Sequence, residues 1–486
     1  MENDISNIEP IELWKIFYEI TQIPRPSKHE AKITTFIKDF GISLGLETTV
    51  DNVGNVIIKK PPSIGMENKK GIILQGHIDM VPQKCLESNH EFEKDPIKPI
   101  IDGGWIKADC TTLGADNGIG IAAAMAILQS KNISHGPIEA FFTIDEETDM
   151  TGANGLESDV LDGKILLNLD TEEEGSLFVG SAGGSSFKAI FNYSKKTAEK
   201  ESIAFELKVS GLLGGHSGAD IHLNRANAIK ILSQILWIAF SNCNIDINSI
   251  NGGSAANVIP REASAIITIK KEEFSKFKEL FDKLNKDIIA KFPDEANLNI
   301  KYETCDIPKY VLDNETKWGL LSSLCFCPNG VIAMSENIAN LVETSNNLAI
   351  VETFNNQVIV ECLIRSSVDS ARIVVENLLK NIFILSKGDT KIYGEYPGWD
   401  PNLDSQILEI MKSTYFEKFG KVPEVKAIHA GLECGVLGGK YPDLDMISFG
   451  PTIKDAHTPQ EKVNIKSVQK FWELLIETLK NAPIQK

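Results

Sequence analysis

Four short apolar segments of this 486-residue chain each lead into side chains of the kind that bind metal ions. These segments and the residues that follow them are Gly71–Gln75 with His77 and Asp79, Glu139–Ile144 with Glu146 and Glu147, Ile165–Leu169 with Asp170, and Asp445–Phe449 with His457. Apolar runs of this length are typical of buried strands. Because functional groups of open α/β sheets gather at the carboxyl ends of strands, we expect an α/β fold with these side chains at one sheet edge.

A fifth candidate, Asp116, precedes an Ala-rich segment, Ile119–Gln129, that predicts a buried helix. A carboxylate is favoured there by the positive end of the helix dipole. Two histidines and three carboxylates suit two divalent ions that share a bridging carboxylate. The sequence therefore predicts a dinuclear site, with Zn²⁺ as the first candidate and Co²⁺ or Mn²⁺ as alternatives, held by His77, Asp116, Glu147, Asp170 and His457.

Two acidic residues beside these candidates have different predicted roles. Asp79 lies two residues beyond His77 and can accept a hydrogen bond from the imidazole nitrogen that faces away from the metal. Glu146 precedes Glu147 and can take a proton from water and pass it to a leaving amine. Each motif alone has an ordinary structural explanation, since acidic runs are mostly solvated surface. Their occurrence at four predicted strand ends favours the metal site.

The order of predicted elements indicates a discontinuous first domain. Residues 1–184 alternate strands and helices, whereas residues 185–390 combine alternating strands with single amphipathic helices, which is an α+β pattern. Residues 391–486 return to the first style. We therefore expect a catalytic domain in two parts, 1–184 and 391–486, with residues 185–390 inserted as a lid. Ser27 and Glu30 also have the spacing of a capping box for a second helix.

Charge and hydropathy exclude several classes of protein. There are 49 Lys and Arg residues against 67 Asp and Glu residues, and the net charge of −18 disfavours nucleic-acid and anionic-lipid partners. No apolar run approaches the roughly 18 residues of a membrane span. The first ten residues are acidic and polar, unlike a signal peptide, and eight cysteines are too few for a disulfide framework. We expect a cytoplasmic protein with no membrane association.

The motifs resemble those of the co-catalytic zinc exopeptidases, a clan that includes peptidase T, peptidase V and carboxypeptidase G. Within it, the chain is most similar to the aminoacyl-histidine (Xaa-His) dipeptidases, and the likeness covers essentially the whole length. The segments that carry it are Ile23–Ser27, Gly76–Pro82, Gly114–Asn117, Asp145–Thr148, Asp170, Ala430–Gly435, Ser448–Pro451 and Ala456–Pro459.

The resemblance implies a mixed sheet flanked by helices, an inserted α+β lid, and hydrolysis of small unblocked dipeptides, including β-alanyl-histidine. It implies that His77 and Asp170 hold one ion, that Glu147 and His457 hold the other, and that Asp116 bridges them. It also gives Asp79 and Glu146 the roles argued above.

Four further residues are site candidates through the same resemblance. His216, in Gly214–Gly218, is similar to a lid histidine that stabilises the oxyanion of the scissile carbonyl. Asn257 and Arg365 resemble lid residues that bind the substrate carbonyl and carboxylate, and an arginine suits a carboxylate by bidentate pairing. Glu433 lies in a segment that contacts substrate in relatives, and its carboxylate is a candidate partner for the substrate ammonium.

Two other functions fit the same sequence. An N-acyl amino acid deacylase would use the same dinuclear site on amides whose acyl part carries no amine. A protein of another class, an inactive and metal-stabilised interaction protein, would keep the scaffold only, and the presence of Glu146 with all five ligands argues against it. The oligomeric state is open, and a homodimer is one of the states considered.

Overall fold

A computed structural model of the chain describes residues 5–336, 338 and 340–485. The chain divides into two compact units. Unit 1 comprises the chain up to Gly180, Pro401–Ala427 and everything from Leu432, and unit 2 comprises Ser181–Asp400 with Ile428–Gly431. The predicted limits, 1–184, 185–390 and 391–486, differ from these by four residues at the first junction and by ten at the second. The short segment Ile428–Gly431, which belongs to unit 2, has no counterpart in the predicted limits.

The described residues form eleven α-helices and twenty-five strands. The elements of the first part are Ile11–Thr21 (α1), Ala31–Ser43 (α2), Glu47–Val50 (β1), Val56–Lys60 (β2), Ile72–His77 (β3), Pro99–Asp102 (β4), Trp105–Ala108 (β5), Ala115–Gln129 (α3), Ile138–Thr143 (β6), Thr151–Gly155 (α4), Ile165–Asn168 (β7) and Ser176–Ser181 (β8).

The elements of the middle part are Gly183–Asn192 (β9), Lys195–Thr197 (β10), Ser202–Ser210 (β11), Gly215–His216 (β12), Ala228–Cys243 (α5), Asp246–Gly252 (β13), Val258–Ile259 (β14), Ala263–Lys270 (β15), Phe274–Lys291 (α6), Asn299–Cys305 (β16), Tyr310–Leu312 (β17), Asn314–Phe326 (α7), Gly330–Met334 (β18), Val342–Phe354 (β19), Gln357–Ser366 (β20), Asp369–Leu385 (α8) and Asp389–Tyr396 (β21). Those of the last part are Gln406–Phe419 (α9), Glu424–Ile428 (β22), Glu433–Lys440 (α10), Asp445–Ser448 (β23), Ile453–Lys454 (β24), Lys462–Asn464 (β25) and Ile465–Lys480 (α11).

The main sheet of unit 1 has eight strands in the order β1-β2-β6-β3-β7-β23-β8-β22. Its four central strands, β6, β3, β7 and β23, run parallel, and the antiparallel pairs lie towards the two edges. The central strands are buried along almost their whole length, as expected where both faces of a mostly parallel sheet are covered. The predicted α/β architecture of a mixed sheet with helices is therefore confirmed.

The register of the central strands places the candidate ligands at one edge of this sheet. His77 pairs with Thr143 across β3 and β6, and Gln75 pairs with Asn168 across β3 and β7. Ser448 of β23 pairs with Asn168 as well. Since all four strands end at nearly the same level, the residues that follow them lie close together, as expected from the sequence.

The Ala-rich helix α3 packs against α1 and the site strand β3. It begins at Ala115, but Asp116 and Asn117 have non-helical backbone angles, and the regular helix follows them. Asn117 donates a hydrogen bond of 2.6 Å to the backbone oxygen of Leu169, next to Asp170. The helix start therefore connects two of the candidate ligands, Asp116 and Asp170.

The predicted capping box of α2 is wrong. Glu30 is the N-cap residue, and no side chain caps the helix. The hydroxyl of Ser27 instead donates a hydrogen bond of 2.7 Å to Asp79 Oδ2. Ser27 therefore belongs to the polar network of the site.

Unit 2 is an α+β structure with its own core. Its large antiparallel sheet follows the order β16-β11-β15-β13-β19-β20-β9-β21, and β18 also pairs with β19. The helices α5 and α8 contact this sheet, and their apolar side chains contribute to a buried core that includes Leu232, Leu236 and Phe383. Short two-stranded sheets, β10-β17 and β12-β14, complete the unit. None of the described helices is long and apolar enough to cross a membrane.

Candidate metal centre

His77 and Asp170 follow neighbouring parallel strands and approach each other closely. His77 Nε2 lies 3.2 Å from Asp170 Oδ1 and 3.0 Å from Asp116 Oδ1. The ligand atoms of these three residues all lie within 4.8 Å of one another. This first set corresponds to one of the two predicted metal positions.

A second set lies beside the first and shares Asp116 with it. His457 Nε2 lies 3.0 Å from Glu147 Oε2 and 3.2 Å from Asp116 Oδ2. His457 is reached through the β24–β25 connection, which belongs to a four-stranded sheet, β24-β25-β5-β4, and not directly from β23. The imidazole is half-exposed, whereas His77 is buried.

The donor set fits two divalent cations. Asp116 directs a different carboxylate oxygen towards each histidine, Oδ1 towards His77 and Oδ2 towards His457, which is the arrangement a bridging carboxylate needs. Imidazole nitrogens and carboxylate oxygens are borderline and hard ligands that zinc accepts, as do cobalt and manganese. The side chains therefore satisfy the predicted ligand pattern, although the identity of the ions stays a prediction.

The charges of this cluster also favour bound cations, because buried carboxylates outnumber the histidines. Hydrogen bonds with Asp116 and Glu147 raise the pKa of His457 to about 11. Burial raises the pKa of Asp170 to about 7 although His77 opposes the change. Burial also raises the pKa of Glu147. An excess of buried negative charge is stabilised either by protons or by metal ions. Metal ions stabilise the carboxylates while these stay ionised.

Asp79 is completely buried and contacts both His77 and the acidic segment. Its Oδ1 lies 3.3 Å from His77 Nδ1 and accepts a 3.0 Å hydrogen bond from the backbone N–H of Glu146. Its Oδ2 accepts bonds from the Ser27 hydroxyl and from the backbone N–H of Glu147 at 3.3 Å. Burial favours the protonated acid, but His77 and Ser27 outweigh it and lower the pKa of Asp79 to about 2.

Ligand atoms of Glu146, His77 and Glu147 all lie within 4.8 Å of one another. Burial raises its pKa well above the ordinary value, the positive charge of His77 opposes this, and the carboxylates of Asp170 and Glu147 add to it. A carboxyl group whose pKa is raised by burial can serve as a general acid or base. This position is compatible with the predicted acid/base role.

The acidic segment is held in place by Lys28 and Asp145. Asp145 has a left-handed backbone (φ 57°) that turns the chain away from β6. Its carboxylate accepts hydrogen bonds from the hydroxyls of Thr148 and Thr151, and from Lys28 Nζ at 2.6 Å. Lys28 Nζ also lies 2.8 Å from Asp149. These bonds fix the direction in which Glu146 and Glu147 leave the strand.

Glu433 begins α10 and is 0% exposed. One oxygen, Oε2, accepts hydrogen bonds of 2.5 Å from Gln75 Nε2 and 2.6 Å from the Thr143 hydroxyl. The other oxygen has no hydrogen-bond partner among the described residues. Burial raises the pKa of Glu433 to about 8, although Thr143 and His77 oppose the change. The contact with a substrate ammonium stays a prediction, for which Oε1 is the available atom.

His216 and Asn257 lie next to each other in unit 2. His216 is on β12, which pairs with β14, and the Ser217 backbone N–H bonds the Asn257 oxygen at 2.8 Å. His216 Nδ1 accepts hydrogen bonds from the backbone N–H groups of Gly218 at 3.2 Å and Ala219 at 3.0 Å. An imidazole that accepts at Nδ1 carries its proton on Nε2. His216 is therefore set to donate from Nε2, as its predicted role requires.

Arg365, also in unit 2, is 6% exposed and lies in β20. It donates a 3.0 Å hydrogen bond to the Tyr396 hydroxyl, and its Nε is unpaired among the described residues. Among the described residues, Arg365 forms no ion pair within 4.0 Å. A buried guanidinium of this kind favours an anionic ligand, as the predicted contact with a substrate carboxylate requires.

Four polar residues of unit 1 belong to the site without a sequence signal for that role. Ser27 has the spacing of a helix cap, Lys28 lacks a recognisable motif, and Glu461 follows His457 by four residues without a distinguishing pattern. Arg25 lies inside Ile23–Ser27, one of the resembling segments, where no feature indicates its partners. In each case the partner lies far away in sequence, so only the fold shows the contact.

Known proteins match this chain over nearly its full length. A relative from Escherichia coli (strain K12), named cytosol non-specific dipeptidase, is 40% identical over 484 residues, 99% of either chain. The crystal structure of aminoacylhistidine dipeptidase from Vibrio alginolyticus is 43% identical, covers 99% of both chains and superposes with a TM-score of 0.92.

A more distant structure has the same fold. Aminopeptidase PepT from Bacillus cereus is 18% identical, covers 97% of this chain and 98% of its own, and has a TM-score of 0.58.

Residues 73–481 match the family described as peptidase family M20/M25/M40. The chain therefore belongs to this family of metallopeptidases and is a hydrolase.

Proposed function

We propose that the protein is a metal-dependent dipeptidase that hydrolyses unblocked dipeptides, notably Xaa-His substrates such as β-alanyl-histidine. The observation that carries the proposal is the pair of ligand sets joined by Asp116 at the carboxyl edge of the unit 1 sheet. The names of the two full-length relatives support peptide hydrolysis, and that of the Vibrio protein supports histidine at the second position.

His77, Asp116 and Asp170 would hold one divalent ion, and Asp116, Glu147 and His457 the other, with zinc as the preferred ion and cobalt or manganese as alternatives. When bound, such ions polarise a substrate carbonyl and lower the pKa of water. Glu146 takes the proton from the attacking water and returns it to the departing amine. Asp79 keeps His77 in one orientation and tautomer through its contact with Nδ1.

Three of the proposed substrate-binding groups, His216, Asn257 and Arg365, belong to unit 2, and the fourth, Glu433, belongs to unit 1. His216 donates from Nε2 to the carbonyl oxygen as negative charge develops there. Arg365 binds the substrate carboxylate, since its buried guanidinium has no acidic partner among the described residues, and Asn257 binds the substrate carbonyl. Glu433 is proposed to receive the free ammonium at Oε1, which explains the preference for unblocked substrates.

The proposed partners are small dipeptides only, without nucleic acid or membrane. The proposed location is the cytoplasm, as the name of the Escherichia coli relative supports.

A homodimer is the proposed oligomeric state. In its support, helix α8 of unit 2 exposes Val374, Leu378 and Leu385 on one side. Sedimentation analysis of the full chain tests this, and a monomer at micromolar concentration would contradict it.

The activity test uses β-alanyl-histidine, a set of unblocked Xaa-His and Xaa-Gly dipeptides, and their N-acetylated forms. The enzyme is first stripped with a chelator and then reloaded with zinc, cobalt or manganese. We expect cleavage of the unblocked dipeptides only, and only after reloading. Cleavage restricted to the blocked forms would assign the protein to the deacylases, and no cleavage of either would favour the inactive interaction protein.

A further inference from the structure

Arg25 is a buried cation that binds the backbone of two of the three segments carrying ligands of the first set, those of His77 and Asp116. It is 2% exposed. Its Nη1 donates hydrogen bonds to the backbone oxygens of Ile78 at 3.0 Å and Asp79 at 2.7 Å, directly after His77. Its Nη2 donates to the backbone oxygen of Gly114, two residues before Asp116. One side chain thus ties the end of β3 to the start of α3.

Glu461 is a buried acidic residue that binds the backbone of the Asp116 segment, at the start of α3. It is also 2% exposed. Its Oε2 accepts bonds from the backbone N–H groups of Leu113 at 2.8 Å and Gly114 at 3.1 Å. Its Oε1 accepts from Ala115 at 2.8 Å and Asp116 at 3.4 Å. Four successive amides of the segment that ends at the bridging carboxylate therefore point at one side chain.

The guanidinium of Arg25 packs closely against two glycines. Gly114 has φ +68°, and a Cβ there would lie 2.6 Å from Arg25 Nη2. A Cβ on Gly118 would lie 2.8 Å from the same nitrogen and 2.9 Å from a ring carbon of Phe17. Two glycines are thus needed for the guanidinium to reach its carbonyl partners. Such close packing fixes the segment more narrowly than hydrogen bonds at a surface would.

The charges of Arg25 and Glu461 also suit a position beside the candidate metal ligands. Arg25 interacts electrostatically with Glu461 and with the carboxylates of Asp79 and Asp116. The guanidinium of Arg25 and the carboxylate of Glu461 attract each other. Both are satisfied by peptide groups, which cannot titrate or exchange partners. The pair therefore contributes geometry without competing for the cations.

We propose that Arg25 and Glu461 are positioning residues that set the place of Asp116 relative to His77 and thereby the affinity of the dinuclear site. The inference rests on the metal centre proposed above. Groups that orient metal ligands typically change metal affinity about 10- to 100-fold when they are removed. A pair that only stabilised the fold would not alter metal affinity in variants that remain folded.

The test compares E461Q and R25M with two matched controls. Glu139 is a buried carboxylate of the same sheet that accepts backbone bonds from Asp162 and Gly163, away from the ligands, and E139Q removes it. Lys60 donates to the backbone oxygens of Ile127 and Ser130 at the far end of α3, and K60M removes it. Each metal-free full-length variant is titrated with Co²⁺, and its visible absorption spectrum and calorimetric affinity are recorded.

We expect E461Q and R25M to bind at least one Co²⁺ about 10-fold more weakly than the unmodified chain, with an altered spectrum. E139Q and K60M should keep both affinities and the spectrum. Unchanged binding in folded E461Q and R25M would overturn the inference, as would equal weakening in the controls. If E461Q or R25M does not fold, R25K decides, since it keeps the charge but loses the forked contact with the carbonyls.

The result of the Co²⁺ titration is independent of the result of the dipeptide hydrolysis test. Co²⁺ binding is measured without substrate, so a chain that binds two ions but cleaves no dipeptide would refute the dipeptidase and leave the role of Arg25 and Glu461 open to the same titration. A chain that cleaves dipeptides with both variants unimpaired in Co²⁺ binding would refute only the positioning role.

Discussion

The side chain of Asp79 shows how one residue serves several neighbours at the site. It contacts the imidazole of His77, the hydroxyl of Ser27 and the backbone N–H groups of Glu146 and Glu147. The sequence predicted the first contact from the His-x-Asp spacing. The contacts with Glu146 and Glu147 depend on the parallel pairing of β3 with β6, which brings residues 67 and 68 positions apart together.

Glu146→Gln tests the acid/base role at the residue scale. The amide cannot accept the proton of water, so we expect kcat to fall about 100- to 10,000-fold. Steady-state hydrolysis of β-alanyl-histidine measures this, while Co²⁺ titration and circular dichroism serve as controls and should match the unmodified chain. Retention of full activity would refute the role of Glu146.

His429 makes the stability of the protein sensitive to acid. It is buried, its Nε2 lies 2.7 Å from the Ser345 hydroxyl, and burial with the charges of Arg365 and His216 lowers its pKa to about 3. Between pH 6.5 and 3 the unfolded chain binds a proton here and the folded chain does not, so stability falls as the pH falls. At pH 5.5 this cost is about 1.4 kcal/mol.

We therefore expect His429→Gln to lose less stability than the unmodified chain between pH 7.5 and 5.5. Urea unfolding of both chains at several pH values measures the difference. His222→Gln, which removes an exposed histidine, serves as the matched control. An identical slope for the His429 variant and the unmodified chain would show that His429 does not titrate differently in the two states.

At the scale of elements, the packing of α3 against the sheet is tight at its glycines. A Cβ on Gly120 would lie 2.5 Å from Asn117 Oδ1 and 2.6 Å from the backbone oxygen of Leu169. Gly120→Ala should therefore cost about 1–3 kcal/mol of stability, because the backbone beside Asp170 has to shift. Chemical denaturation measures the loss.

Gly438→Ala is the matched control in the same unit. Its Cβ would meet only the flexible end of Met446, at 2.8 Å, and the substitution is in helix α10. We expect no loss or a gain of up to about 1 kcal/mol from helix propensity. A Gly120 variant as stable as the Gly438 variant would contradict the tight packing described for α3.

At the scale of the whole molecule, bound metal should stabilise the folded chain. Ions that bind the folded state and not the unfolded state add about 2.7 kcal/mol when present at 100 times their dissociation constant. We expect chelation to lower the melting temperature measured by calorimetry, and zinc or manganese to restore it. Asp116→Asn should remove most of this response, since it affects both ligand sets. An unchanged melting temperature after proven loss of metal would contradict the metal centre.

Much of this molecule follows from local sequence. The strands β3, β6 and β7, the helix α3 and the antiparallel strands of unit 2 arise from apolar runs and periodic patterns that lie within a few residues. The proximity of the candidate ligands could be predicted because parallel strands of one sheet end at a common edge, so the residues that follow them lie close together.

The contacts that set the geometry of the site were decided only by the tertiary structure. Ser27 has the spacing of a helix cap but bonds to Asp79, and Glu461 accepts bonds from Leu113 to Asp116, about 350 positions earlier. Arg25 is likewise satisfied by distant backbone carbonyls. Backbone groups are chemically the same at every position. The sequence therefore does not distinguish a charged residue that binds them from any other charged residue. The sequence by itself determined the candidate ligands and the strands that present them, whereas the long-range bonds that hold the ligands in place required the folded chain.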